Sequence, residues 1–529
     1  MSSNSGAIAA ESPFFFEAKI PPEILHQILS HNLPPIDNQS HFASLARVNK
    51  RWSAQVSKLL LSAISIPERL DLQNGENLLQ LLGSYPEKRS LVKCIEADGS
   101  DLACKLLMML SNIQTLTLDT KVEGTLTYAI PPLPNLRTLG VKLFEAQPDN
   151  FFPTLQDCHE LRNLTLGSLS NWTRTLSEVK LEKLESLNLQ LWSYHKAIFD
   201  AFVPSASTLR KVTILRVRKQ NFDLIDNFLM KCYNLEVFNL QADFQRRNIS
   251  LCLPPRLKAL DVASVLFEED QGVLELGLDA GYFFSNLANN SHLQELQISG
   301  IAIKDSKLYG RLPNLETCII HERIFRDDEL LLFSLPAELQ NLSMGARFAE
   351  EVVEKSHLAC LEPCFFQENF KFLMVPSSLI DDLSIINDLV KNLTNRRPPI
   401  SLGVEFGGRP VRNCSELLSA LMQFPILHLS GIGRKTLEKE TLYALEKIIG
   451  HQSKNVILFS SDLLLFNYVQ SGLECPFEVL KAMLIPVDFG TKVAQNQAQF
   501  CQRKGVDFLR APFSQSVVNL LCRRLGIWD

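Results

Sequence analysis

A chain of 529 residues is long enough for several ordinary domains, or for one repeat array with something attached. Hydrophobic residues make up 46% of it and charged residues 21%, so it can bury a core and is not a disordered polymer. Its net charge of −5, with nothing more basic than isolated pairs such as Arg246-Arg247, Arg396-Arg397 and Arg523-Arg524, argues against an electrostatic nucleic-acid or membrane binder.

The 12 cysteines are scattered without a dense framework and read as reduced, mostly buried thiols. Residues 1–18 are Ser- and Ala-rich, then aromatic at Phe14 to Phe16, and read as a flexible tail. They lack the basic and apolar regions of a secretory signal. The longest apolar runs, such as Leu463 to Phe466, fall far short of a membrane span. The expected location is cytoplasmic, nuclear or both, where sequons such as Asn163-Leu164-Thr165 carry no glycan.

Residues 19–64 form a predicted helical domain. Pro21 and Pro22 suit a helix start, and Glu23 in the first turn suits its dipole. Ile24, Leu25, Ile28 and Leu29 come next at helical spacing until Pro34-Pro35 stops the helix. A second stretch holds Phe42, Leu45 and Val48, and a third holds Trp52, Val56, Leu59 and Leu60. A segment this short rarely buries so many apolar groups unaided, which points to a partner protein, the adjacent chain, or both.

The run Ile20-Pro21-x-Glu23-Ile24-Leu25-x-x-Ile28-Leu29, followed by Leu45-x-x-Val48-Asn49-Lys50-Arg51-Trp52, resembles an F-box. Ile20 stands where that family usually has Leu, and the loop from His31 to His41 is somewhat long for it. The resemblance implies a surface for a Skp-family adaptor made by Pro21, Ile24, Leu25, Ile28 and Leu29, with Leu45, Val48 and Trp52 in the helical core.

From residue 65 to 529 the chain reads as a repeat array, clearest over 110–345 and irregular to the C-terminus. A helix near Glu76 to Leu82 and a strand in Leu91 to Asp98 lead into ten segments that align on Leu-x-x-Leu-x-Leu. Their first inward strand positions fall at 116, 139, 164, 187, 212, 238, 260, 296, 318 and 342. The steps run from 22 to 26 residues, apart from one of 36 after Leu260. Stretches of helical length, such as Phe222 to Met230 and Phe283 to Leu287, separate some of the strands. Alternation points Leu116 and Leu118 into a core and Thr115, Thr117 and Asp119 to the other face.

These segments resemble the leucine-rich-repeat superfamily. They depart from it where many repeats carry Asn or Cys: this chain has Leu169, Trp192, Val217, Val265 and Ile301. An Asn ladder is therefore not indicated, and the backbone there must find other partners.

Further strands are expected at FLMVP near Leu373, ISLGV near Leu402, ILHLS near Leu427, NVILF near Val456, AMLIP near Leu484 and VDFLR near Phe508. Helices are expected at Leu437 to Ile449 and, as a cap, Ser514 to Leu525. The reading is one array to the C-terminus, with a separate small α/β domain from about residue 400 as the alternative. The fold class is thus α/β: a three-helix F-box-like domain, then a solenoid of curved parallel sheet with outer helices.

The outward strand positions are mostly neutral hydrogen-bonding groups. Thr117, Thr165, Asn188, Gln190, Asn239, Gln241 and Gln297 are candidate client-binding residues, and Asn341 and Ser343 share the face. Charges there are sparse: Asp119, Lys142, Lys211, Asp261 and Glu295. Such a face suits peptide recognition through polar contacts, or is simply a solvated sheet. It does not suit a phosphate backbone or a phosphorylated degron, which call for clustered Arg. The long step after Leu260 holds an insertion with Phe267-Glu268-Glu269-Asp270, a loop that is either plainly solvated or suited to a basic partner.

No catalytic constellation stands out. His357-x-x-Cys360-x-x-x-Cys364 has no second ligand pair for zinc. Gly431-Ile432-Gly433 lacks the rest of a phosphate loop, Gly407-Gly408 reads as a turn, and Asp327-Asp328-Glu329 as a solvated run. The chain is expected to be no enzyme and to hold no metal or cofactor. The F-box-plus-repeat resemblance implies a substrate receptor of SCF-type ubiquitin ligases, linked through its adaptor to cullin and RING subunits. A scaffold of the same architecture outside any ligase is the alternative, and a hydrolase in the C-terminal α/β stretch is the rival from another class.

Overall fold

Strands of four to seven residues recur along the chain at the positions where the apolar alternation predicts them. The computed structural model describes residues 61–66, 72–97, 101–120, 132–143, 157–169, 181–191, 196–217, 221–242, 251–264, 290–299, 312–321, 338–344, 368–376, 400–405, 426–430, 455–459, 480–485 and 507–510, with single positions 155, 287, 336, 387, 391 and 393. The F-box-like motif with Pro21, Ile24, Leu25, Ile28, Leu29, Leu45, Val48 and Trp52 lies outside the described residues. So do the insertion Phe267 to Asp270, the His357/Cys360/Cys364 cluster, Asp327 to Glu329, the two Gly pairs, and the expected helices Leu437 to Ile449 and Ser514 to Leu525.

The chain divides into two compact units, Met1–Leu209 and Arg210–Asp529. In the first, β1 (Ala63–Ile66), β2 (Cys94–Ala97), β3 (Thr115–Thr120), β4 (Thr138–Leu143), β5 (Asn163–Leu169) and β6 (Ser186–Leu191) pair consecutively, every pair parallel. Strand β1 lies across the 64/65 boundary drawn from sequence. Helices α1 (Leu72–Ser84), α2 (Pro86–Arg89), α3 (Asp101–Met109) and α4 (Lys196–Phe202) lie between or after these strands. The Arg89 side chain caps α1, its Nε donating to the Leu82 carbonyl at 2.7 Å and its Nη2 to that of Gly83 at 3.1 Å.

The second unit holds β7 (Lys211–Val217), α5 (Phe222–Leu229), β8 (Val237–Ala242), β9 (Ala259–Ser264), β10 (Glu295–Ser299), β11 (Thr317–His321), β12 (Asn341–Met344) and β13 (Phe372–Pro376). It continues through β14 (Ser401–Glu405), β15 (Ile426–Ser430), β16 (Asn455–Phe459), β17 (Leu480–Ile485) and β18 (Asp507–Arg510). These strands too pair consecutively and in parallel. The consecutive pairing runs on past residue 400, with no change of topology at β14. Helix α5 buries Phe222, Ile225, Phe228 and Leu229, the apolar stripe that its sequence spacing predicts.

Register puts like residues on like. In unit 1, Ile64, Ile95, Leu116, Leu139, Leu164 and Leu187 stand in one buried row, with Ala97, Leu118, Val141, Leu166 and Leu189 in the next. Unit 2 continues the device with Val212, Phe238, Leu260, Leu296, Cys318, Leu342, Leu373 and Leu402. Each Leu, Ile, Val or Phe among them gains roughly 1.5–3 kcal/mol by leaving water, and gains it only where a neighbouring repeat supplies the facing surface.

The backbone explains the constancy of the spacing. Each Leu-x-x-Leu turn closes with a bond from the amide of its last residue to the carbonyl three back, as in Leu136 to Leu133, Leu161 to Cys158, Leu235 to Cys232 and Leu315 to Leu312, at 3.0–3.2 Å. The carbonyl of the residue just before a strand then accepts two amides of the following repeat. Lys93 accepts from Gln114 and Thr115, Gln114 from Arg137 and Thr138, Glu236 from Lys258 and Ala259, and Gln340 from Lys371 and Phe372, all at 2.7–3.1 Å. On this side the partners that the backbone needs are backbone groups of the adjacent repeat. Side chains also serve the backbone in unit 1, where the Leu181 amide donates to the buried Ser205 hydroxyl at 3.0 Å and Thr208 Oγ1 donates to the Leu184 carbonyl at 2.7 Å.

Candidate interaction face

Because side chains alternate along a strand, the row between the two buried rows faces outward. In unit 1 that row reads Ser65, Glu96, Thr117, Gly140, Thr165 and Asn188. In unit 2 it reads Thr213, Asn239, Asp261, Gln297, Ile319, Ser343, Met374 and Gly403. The structure therefore brings Thr117, Thr165 and Asn188 into one row, and Asn239 and Gln297 into another with Asp261 between them. Gln241 lies two residues beyond Asn239, in register with Ala263 and Ser299. Gln190 is the next outward residue after Asn188 on β6. All seven candidates are half-buried.

Part of this polar surface is bonded to itself. Asn163 Nδ2 donates to Thr138 Oγ1 at 3.2 Å, Asn239 Nδ2 to Thr213 Oγ1 at 3.4 Å, and Asn341 Nδ2 to Thr317 Oγ1 at 3.1 Å. In each case an amide on one strand reaches the hydroxyl directly across on the preceding strand. These bonds fix the amide planes and aim their oxygens. The Arg162–Glu185 and Lys258–Glu236 ion pairs lie just before the strands and are exposed, so they add little to stability.

The face changes character along unit 2. Through β10 it is polar and partly open. From β11 to β13 the outward positions Thr317, Ile319, Asn341, Ser343, Phe372 and Met374 are all buried, at 1–8% exposure. Asn341 and Ser343, expected on the open polar face, are thus withdrawn from it, and Asn341 Oδ1 and Ser343 Oγ lack a hydrogen-bond partner. The sequence carried a signal for this: strands TCIIH and FLMVP are apolar runs without alternation, as strands buried on both faces are.

Asp261 is the charged group set deepest among the described positions of this row. Its Oδ1 is enclosed and without a partner, and burial pushes its carboxyl up to about 6. Burial likewise raises the Cys158 thiol to about 11 and that of Cys232 to about 12, so these two are packing groups rather than nucleophiles. Among the described residues, no group of three His, Cys, Asp or Glu side chains is placed to hold a metal ion, and no helix is long and apolar enough to cross a membrane.

Within each unit the consecutive parallel strands stack as a repeat solenoid, an arrangement consistent with the leucine-rich-repeat pattern that the sequence resembles. Comparison with solved structures finds likeness to an internalin, InlF, of Listeria monocytogenes, at 18% identity and a TM-score of 0.33, over 58% of this chain and 88% of that one. Rad7, solved in complex with Elc1 from yeast, is similar at 15% identity and a TM-score of 0.37, over 76% and 94%. The circular leucine-rich-repeat protein CroV588 is similar at 13% identity and a TM-score of 0.31, over 72% of this chain and 51% of that one. At these TM-scores none of the three assigns an activity. No protein-family model matches the sequence, and no curated protein matches it significantly.

Proposed function

We propose that this chain is the substrate-recognition subunit of an SCF-type ubiquitin ligase. The N-terminal helices dock on a Skp-family adaptor, and through it on cullin and RING subunits. The repeats hold a protein client on the outward face of the sheet. The observation that carries the client half of this reading is the row of half-buried amides and hydroxyls from Thr117 to Asn188 and from Asn239 to Gln297, set on a rigid parallel sheet. Asn239, held by its cross-strand bond to Thr213, loses little entropy on binding. The adaptor half rests on the F-box resemblance of residues 20–52.

In this reading the chain is not an enzyme and needs no cofactor. It works in the cytoplasm or nucleus, and its contribution to ubiquitin transfer is to position the client near chemistry performed by other subunits. The test is co-purification with a Skp-family adaptor, with wild type and with Leu25→Asp. Wild type is expected to retain the adaptor and Leu25→Asp to lose it, with the circular dichroism spectrum unchanged. A folded wild-type chain that ignores every adaptor sinks the ligase reading and leaves the scaffold.

A further inference from the structure

Strand β9 differs from its neighbours on the outward face. It presents Ala259, Asp261 and Ala263, so a carboxylate stands between two methyl groups. The flanking strands present longer groups in register: Val237, Asn239 and Gln241 of β8 on one side, and Glu295, Gln297 and Ser299 of β10 on the other. Neighbouring strands lie about 4.8 Å apart, so the β9 side chains form the floor of a shallow channel with amide walls. On that floor the Asp261 Oδ1 is enclosed and unpartnered. Among the described residues no cation pairs with Asp261 or with Glu295; Lys258, just before β9, is engaged by Glu236 at 2.8 Å. Beyond β10 the next residue in the row is the buried Ile319, so the open channel ends there.

We propose that Asp261 anchors a basic side chain, arginine or lysine, of an extended client segment lying along β9, with Glu295 as a second carboxylate and the Asn239 and Gln297 amides as flanking contacts. This rests on the reading that the outward face holds a protein client, and adds the chemistry of one client position. The floor is open on either side of Asp261 because Ala259 and Ala263 carry no bulk, which admits a side chain end-on. A guanidinium can donate to the carboxylate from the open side of the sheet and leaves further N–H groups for the amide oxygens beside it. A neutral client residue would cover an ionised carboxylate and leave it unpaired, so the same group that attracts a basic side chain rejects an apolar one.

The experiment uses the full chain without adaptor, so that failure of the ligase reading does not affect it. A phage-displayed library of random peptides is panned on wild type and on Asp261→Asn, an isosteric change. Wild type is expected to fix one position as Arg or Lys, and Asp261→Asn to lose that preference. The leading peptide, made synthetically, should bind Asp261→Asn about tenfold more weakly or worse, and its citrulline version should lose a similar factor on wild type. The thermal midpoint of Asp261→Asn shows that the variant is folded. The proposal is overturned if wild type enriches no peptide, if the enriched peptides fix no basic position, or if wild type and Asp261→Asn bind the leading peptide equally.

Discussion

Two buried polar groups cost this protein stability, and both can be tested one residue at a time. Asp261 has an ordinary carboxyl value of 3.8 that burial moves to about 6. Between those values the native state holds a proton that the unfolded state has released, so this residue's contribution becomes more favourable as pH falls through 6 and less favourable as pH rises. Asp261→Asn should therefore be more stable than wild type at neutral pH, and that advantage should shrink as pH falls toward about 4. Chemical denaturation of both chains across this range reads the difference directly; a difference independent of pH would refute it. Asn290 stands at the turn position that Leu133, Cys158, Leu181, Cys232 and Leu312 fill elsewhere, is 3% exposed, and leaves its Oδ1 without a partner. Asn290→Leu should stabilise by about 1–2 kcal/mol, seen as a higher denaturant midpoint at unchanged slope. Alternation in the sequence placed Asp261 on the outward face. Nothing in the sequence showed that its oxygen is orphaned, because that depends on what the adjacent strands place beside it.

Strands were the legible elements here. The predicted positions from Leu116 to Leu342 became β3 to β12, and the fainter matches near Leu373, Leu402, Leu427, Val456, Leu484 and Phe508 became β13 to β18. A period-two pattern survives in a single sequence because each strand must bury alternate residues wherever it stacks. The doubled hydrogen bonds at the carbonyls of Lys93, Gln114, Glu236 and Gln340 were not legible, since they involve no side chain. The close approach of Met374 to Gly403 was equally hidden. A Cβ on Gly403 would meet Met374 Cε at 3.0 Å and its Cβ and Cγ at 3.2 Å, whereas a Cβ on Gly140 would meet Thr117 at an ordinary 3.6 Å. Gly403→Ala should thus cost about 1–3 kcal/mol, and Gly140→Ala far less, although both glycines occupy the same outward row position. Met374→Ala should relieve most of the Gly403→Ala cost in a double-mutant cycle, and additivity of the two changes would refute the contact.

At the scale of the whole chain, the described strands are held by their neighbours in sequence. Among the described residues of unit 2 each strand pairs only with those before and after it in sequence, and each buried row is completed by the adjacent repeat. Such an array behaves as a one-dimensional chain of coupled units rather than as one block. Leu296 distinguishes the two behaviours. It is 1% exposed on β10, between Leu260 and Cys318 in register. Leu296→Ala should cost about 2–5 kcal/mol at the site. In a globule that loss would weaken every slowly exchanging amide equally. In a linear array the damaged interface opens by itself while distant repeats keep their own neighbours. Hydrogen exchange should therefore show the largest loss of protection in β9, β10 and β11, with less in β7 and β8 on one side and β13 and β14 on the other. Equal loss across all of unit 2 would mean that its repeats fold as one block, and the nearest-neighbour account would fail. The channel over Asp261 lies within the strands that this substitution loosens, so Leu296→Ala should also weaken any peptide selected on that channel.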